Sequence, residues 1–414
     1  MARRVQTTAL LAATMLVAVL AFAGPAGAQT NPLCGLPLFP QCPDPPDPPP
    51  PPPPPPPSQD PRGVDPASPN PLLGERWYID KSKWSVQYNQ YRHYRRQGED
   101  GKAALVGKIA LEPQFKWFGR WNEDDRFGTA GTIRAYLERA QEEMRGAVPQ
   151  VIVMRAQAKQ CHRSYSGGGP VEDARTRDWY RDFARGVGDS RIVIGFEPDS
   201  LGTLDCQARS RRKARLDLLR YGVDVLSQLP NATIYLEGGA SDWEAAPRTA
   251  QQLRYIGIAK VRGFMLNVTH YDWTANNIRH GRAISRRTGG KPFIISTAFN
   301  GRGPVHYRRW ISRKKHLWRR VTVWCHPQRR GLGTAPTTTT DDPKVDAYLY
   351  IGRPGFSGGS CNGGPLPVGS WFEERALMFG RNATNWIRPP RGTRFGWPRG
   401  TVSVRSLAGD QFKH

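Results

Sequence analysis

Carboxylates and indoles recur in this chain just beyond short apolar runs, the place where strand ends present chemistry. Asp199 stands in Glu197-Pro198-Asp199-Ser200-Leu201-Gly202, directly after the run 191–196. Glu237-Gly238-Gly239 follows the run 233–236 with Trp243 close behind, and Asn267 follows 263–266. Trp117, in Trp117-Phe118-Gly119-Arg120-Trp121, and Trp324, before Cys325, place further indoles in expected loops. Such a set suits a sugar polymer, because pyranose faces stack on aromatic rings and a glycosidic oxygen needs a proton donor before it leaves. Each residue also has a plainer reading: Asp199 as a helix cap, the tryptophans as core or rim aromatics, Glu237 as a salt-bridge partner, Asn267 as a turn residue.

The elements that must position these residues alternate. Runs 150–154, 191–196, 233–236, 263–267, 292–295 and 347–351 read as buried strands, and 132–145, 176–187, 208–228, 249–258 and 274–288 read as helices. Strand and helix in alternation predict an α/β fold with a parallel sheet, and this many strands without a phosphate loop favour a barrel whose site lies at the strand ends.

Around this domain the chain changes character. Residues 1–28 carry Arg3 and Arg4, an apolar stretch from Ala9 to Ala23 and a small-residue end at Ala26-Gly27-Ala28, which reads as a secretory signal peptide. Residues 29–67 form a short segment with Cys34 and Cys42 followed by a proline-rich linker, extended rather than packed. The globular domain runs over 68–397 and a tail over 398–414. The expectation is a secreted, soluble monomer with no membrane association once the signal is removed.

The formal net charge is +25, and losing Arg3 and Arg4 leaves +23. Such an excess draws a protein toward polyanions, yet no aromatic-interleaved basic stripe points to nucleic acid. Six cysteines in an exported chain read as disulfides, with Cys34 and Cys42 expected to pair apart from Cys161, Cys206, Cys325 and Cys361. No spacing suggests a metal site.

Glu197-Pro198-Asp199-Ser200-Leu201 resembles the acid-bearing motif of glycoside hydrolase family 6, cellobiohydrolases and endoglucanases that cleave β-1,4-glucan with inversion. Further segments fall in the same order, among them Lys108-Ile109-Ala110, Trp117-Phe118-Gly119, Ile234-Tyr235-Leu236-Glu237, Gly263-Phe264-Met265-Leu266-Asn267-Val268, Trp324-Cys325 and Gly363-Gly364-Pro365, from about Asn70 to Ala383. The resemblance implies a distorted (β/α) barrel, disulfides Cys161–Cys206 and Cys325–Cys361, Asp199 as proton donor, and sugar contacts by Trp117, Trp243, Asn267 and Trp324. It implies a polysaccharide partner, β-glucan or a related glycan, and no cofactor.

The same comparison shows departures. Where the family has an aspartate before its first cysteine, this chain has Gln160; where its pattern reads Lys-x-Pro-Gly-Glu-x-Asp-Gly, this chain reads Gly352-Arg353-Pro354-Gly355-Phe356-Ser357-Gly358-Gly359. The base aspartate position is thus Gly358, and a strand-end Asp and Arg become Ser296 and Phe299. Glu237, Asp242, Asp272, Asp342 and Asp346 are the candidate replacement bases, and Ser166 with Glu237 could orient water without one. The readings that follow are a glycan hydrolase, on β-glucan or on a different and acidic glycan; a carbohydrate-binding protein on a hydrolase scaffold; or a cationic wall protein.

Overall fold

The computed structural model describes residues 69–123, 125–156, 169–312 and 317–391. The expected signal peptide, the Cys34–Cys42 segment, the proline linker and the tail 398–414 lie outside the described residues, as do Gln160, Cys161 and Ser166.

The chain opens with α1 (Val86–Arg96) and α2 (Asp100–Ala110) and then alternates: β1 (Lys116–Gly119), α3 (Gly128–Glu143), β2 (Gln150–Met154), α4 (Pro170–Val187), β3 (Ile192–Phe196), α5 (Arg209–Leu226), β4 (Ala232–Glu237), α6 (Ala246–Ile256), β5 (Gly263–Leu266), α7 (Thr274–Ser285) and β6 (Phe293–Ser296). A hairpin, β7 (Val305–Ser312) with β8 (Leu317–Val323), intervenes before β9 (Val345–Leu349) and α8 (Glu373–Arg381). Strands β1 to β6 and β9 form one parallel sheet in chain order, and β7–β8 form a separate antiparallel pair. The two edges meet through one parallel bridge, Gln114 to Tyr350, where the Phe115 N–H donates to the Tyr350 carbonyl at 3.3 Å. The sheet is therefore curled into a barrel with a thin seam.

The expected α/β barrel is the one observed, and the apolar runs explain it. Strands buried on both faces need no polar side. Val151, Val153, Ile194, Phe196, Leu236 and Phe264 pack in one cluster with Phe183, Leu219 and Leu253 of the helices, while their alternates Ile152, Met154, Val193, Tyr235, Met265 and Ile294 form a second cluster within the barrel. That interior is full: a Cβ at Gly195 would lie 2.4 Å from Ile152 Cδ1 and 2.8 Å from Met265 Sδ, so only glycine fits.

One sequence expectation is corrected. Trp117 is not in a loop but on β1, a strand too short and too mixed, Lys-Trp-Phe-Gly, to show a period.

At the N-terminal end of the barrel Asp346 accepts from Arg262 Nη2 at 2.9 Å, from Arg262 Nε at 3.0 Å and from the Tyr235 hydroxyl at 2.7 Å, all buried. Asp342 pairs there with Arg282 and accepts from the Lys344 N–H. Both candidate bases are thus held at the end opposite Asp199.

Candidate active site

Strand β3 ends at Phe196, and the chain turns so sharply that Glu197 and Asp199 both take left-handed backbone angles, φ 54° and 66°. Asn267, just past β5, does the same at φ 65°. For residues with a Cβ this conformation costs about 1–3 kcal/mol each, and it persists where surrounding bonds over-determine it. Those bonds are present. Glu197 Oε1 accepts from the Arg155 and Ala156 N–H groups at 2.8 Å each and from the Tyr180 hydroxyl at 2.7 Å. The Asp199 carbonyl accepts from the Thr203 N–H and hydroxyl at 3.0 and 2.6 Å. Asn267 donates to the Ser296 and Asp272 carbonyls at 3.0 and 3.3 Å.

The Asp199 carboxylate does not cap a helix. It accepts from the Thr269 hydroxyl at 2.6 Å, across from the segment after β5, and the next α-helix starts only at Arg209. Burial pushes its carboxyl above the ordinary aspartate value, while the Thr269 bond and the charge of His270 pull the other way. Glu237, 2% exposed at the end of β4, is driven well above the usual carboxylate range by burial and then by the Asp199 charge, against donation from the Gly239 N–H at 2.8 Å. Two desolvated carboxylates side by side hold one proton between them more readily than none, the condition a general acid needs.

A residue that the sequence reading did not single out sits beside them. His270 Nδ1 lies 2.7 Å from Asp242 Oδ1, with side-chain exposures of 4% and 8%. Its ring stacks on Trp243 (centroids 4.7 Å apart, planes at 17°) and tilts against Trp324 at 5.2 Å. Burial opposes protonation of this imidazole, but Asp242, Asp199 and Asp272 outweigh it and raise its pKa; Asp242 in turn is held below the ordinary value by His270 despite its burial. The available signal was a histidine three residues past a strand-end asparagine; its partner lies 28 residues away on another loop. Asp242 borders a recess of about 590 Å³, with Asp272, Trp273, His280 and His306 among its other lining residues.

The other expected contacts fall as follows. Trp117 is half-buried with its indole N–H on the Ile351 carbonyl at 3.0 Å, at the barrel seam. Trp243 has one face covered by His270 and lies against Gly202, where a Cβ would come within 2.5 Å of the indole. Trp243 and Trp324 are 6.2 Å apart at their ring centres. Asn267 is buried to 1%. Asp272 accepts from the Ser241 hydroxyl (2.5 Å), the Trp273 N–H (2.8 Å) and Asn276 (2.9 Å), which leaves it little capacity for water.

At the departed positions, a Cβ on Gly352 would meet the Phe299 ring at 2.5 Å, so the two substitutions fit one another: the phenyl fills the space a lysine would enter. Gly358 is exposed, its N–H donates to His326 Nε2 at 2.8 Å, and a Cβ there would meet only that nitrogen, at 3.6 Å. Cys325 and Cys361 are joined in a disulfide with Cα atoms 6.1 Å apart, as expected; Cys206 is disulfide-bonded too, and its expected partner Cys161 lies outside the described residues. Cys325, His326 and Cys361 cluster as metal ligands would, but the disulfide occupies both sulfurs.

Known proteins are similar to this chain in sequence and fold. The family model described as glycosyl hydrolases family 6 matches residues 73–383. Endoglucanase A of Cellulomonas fimi is 34% identical over 316 residues, which are 76% of this chain and 62% of that protein, so the chain spans less than two thirds of its length. Endoglucanase 1 of Streptomyces halstedii is 30% identical over 273 residues, 64% of this chain and 77% of that one. Among solved structures, the endoglucanase Cel6 of Mycobacterium tuberculosis, in complex with methyl-cellobiosyl-4-deoxy-4-thio-β-D-cellobioside, is 32% identical with a TM-score of 0.64, covering 76% of this chain and 99% of that one. Endoglucanase CEL6B of Humicola insolens, at 20% identity and a TM-score of 0.62, shares the fold. With Asp199 at the end of β3 in a curled parallel barrel and a family match over three quarters of its length, the chain belongs to the glycosyl hydrolases of family 6.

Proposed function

We propose that this protein is a secreted hydrolase of β-1,4-linked glucan that works by inversion, with Asp199 protonating the leaving glycosidic oxygen. The observation that carries this reading is Asp199 itself: a desolvated carboxyl with a raised pKa, in a strained turn at a strand end, beside a second carboxylate. Its role as acid follows from burial, because the neutral form is the one favoured there. The water on the opposite face has no aspartate at Gly358 to activate it, and Glu237, buried beside Asp199, does not stand across the sugar from it, so no general base is assigned. A general base contributes a factor of about 10² to 10⁴, and turnover is expected to be slow by about that factor. Sugar stacking falls to Trp117, Trp324 and the uncovered parts of Trp243. Export rests on the signal pattern of residues 1–28, and no described helix is long and apolar enough to cross a membrane.

The test is reducing-end release by the mature protein and by Asp199→Asn on a panel of soluble and insoluble glycans, with binding measured in parallel. Release by the wild type that the substitution abolishes, with binding kept, is the expected result. A second reading, a glycan-binding protein on the same scaffold, is favoured by one observation, the exposed glycine at the base position. No release by either protein, with undiminished binding, would establish that reading instead.

A further inference from the structure

Thr269 and His270 are consecutive, and they tie two parts of the mouth together. Thr269 bonds the Asp199 carboxylate, while His270 bonds Asp242 and lies flat on Trp243. The acid's own turn closes the loop, since Gly202 packs on the same indole. Acid, indole, imidazole and second carboxylate are thus locked into one contiguous body drawn from the ends of β3, β4 and β5.

We infer that the Asp242–His270 pair is the positioning partner of Asp199: an imidazolium clamped by Asp242 and Trp243 beside the acid's loop, there to stabilise the carboxylate that proton delivery leaves behind. This rests on the reading of Asp199 as proton donor. When Asp199 passes its proton to the glycosidic oxygen, the C–O bond breaks as a water oxygen bonds the anomeric carbon from the other face and gives up a proton to solvent; the leaving sugar keeps the Asp199 proton as a hydroxyl and Asp199 becomes an anion. His270 keeps its own proton throughout, and solvent reprotonates Asp199 afterwards. A positive charge fixed in a dry site favours that anion without reorganising, the usual source of electrostatic assistance.

The charges around the pair agree with this. Three carboxylates face His270: Asp242 from the loop after β4, Asp199 from the turn after β3 and Asp272 from its own segment. His306 of β7 also acts on Asp242, while His280 of α7, although Asp242 pulls it upward, is driven by burial down to about 4, which leaves it neutral. Glu237 acts on Asp199 from β4. His270 is the one cation whose charge reaches Asp199 among the described residues, and Asp242 is what keeps it charged.

The experiment is a carbon-13 titration of the Asp199 carboxyl, identified by its loss in Asp199→Asn, in the mature protein and in His270→Gln and Asp242→Asn. The second substitution keeps the stacked ring and removes only the clamp, so it serves where the first disturbs packing. Both are expected to move the Asp199 midpoint upward, and on a glucan that the wild type cleaves both lower kcat about 10²-fold with KM unchanged. A midpoint unmoved in folded Asp242→Asn overturns the inference, as does a fall in KM-dependent binding with kcat intact. Absence of turnover in the wild type overturns the hydrolase reading separately, because the titration needs no turnover.

Discussion

At the scale of single residues, the glycine that stands where the family resemblance expects a base aspartate has room around it for one. Gly358 is exposed and a Cβ there meets nothing closer than His326 Nε2 at 3.6 Å, so an aspartate fits without displacing the loop. If the missing base limits turnover, Gly358→Asp raises kcat on β-glucan by about 10² to 10⁴-fold with little change in KM, read from initial rates. An unchanged rate would mean that water activation already lies elsewhere. Gly352→Lys is expected to behave in the opposite way, because the Phe299 ring occupies its path; it lowers the urea midpoint by the equivalent of about 1–3 kcal/mol, and Phe299→Ala in the same chain recovers part of the loss. Asp199 and the glycine at 358 were legible as residues in the sequence. His270 was not, because its meaning comes from Asp242 and two indoles on other loops, and no local spacing carries that.

At the scale of elements, the strand-end loops carry the site by leaning on one another. Gly202 is where the turn after β3 rests on Trp243 of the loop after β4, so Gly202→Val forces the two apart. A loss of about 1–3 kcal/mol in unfolding free energy is expected, together with a changed near-ultraviolet circular dichroism signal from the displaced indole. The strands behind these loops announce themselves because both faces are buried and each run is nearly all apolar, as in Gln-Val-Ile-Val-Met and Ile-Val-Ile-Gly-Phe. β1 escapes notice because four residues with a lysine first give no period. The β7–β8 hairpin escapes because paired arginines, such as Arg308 opposite Arg320, read as solvated charge until the pairing is known.

At the scale of the whole molecule, the role proposed for Asp199 sets a conflict between function and stability. Asp199 and Glu237 both have carboxyls raised by burial, so the folded protein holds a proton that the unfolded chain would release. The sign follows: the stability this contributes is fully present below the ordinary carboxylate range and is lost as pH rises through the raised folded values, each unit of the shift being worth about 1.4 kcal/mol. A neutral isostere removes that loss. Urea unfolding of Asp199→Asn and Glu237→Gln is therefore expected to show both variants more stable than the wild type at pH 7 and nearly equal to it at pH 4. At the other end of the barrel Asp346 accepts from the buried Arg262 guanidinium and the Tyr235 hydroxyl. Asp346→Asn leaves a buried guanidinium without its counter-charge and is expected to destabilise by about 3–5 kcal/mol at pH 7. The paired measurement checks which end bears the catalytic charge: a barrel that gains stability when Asp199 is neutralised and loses it when Asp346 is neutralised holds its strain at the strand C-termini, where the sugar is proposed to bind. Equal losses at both ends would show that Asp199 is a structural carboxylate and remove the physical basis for its acidity.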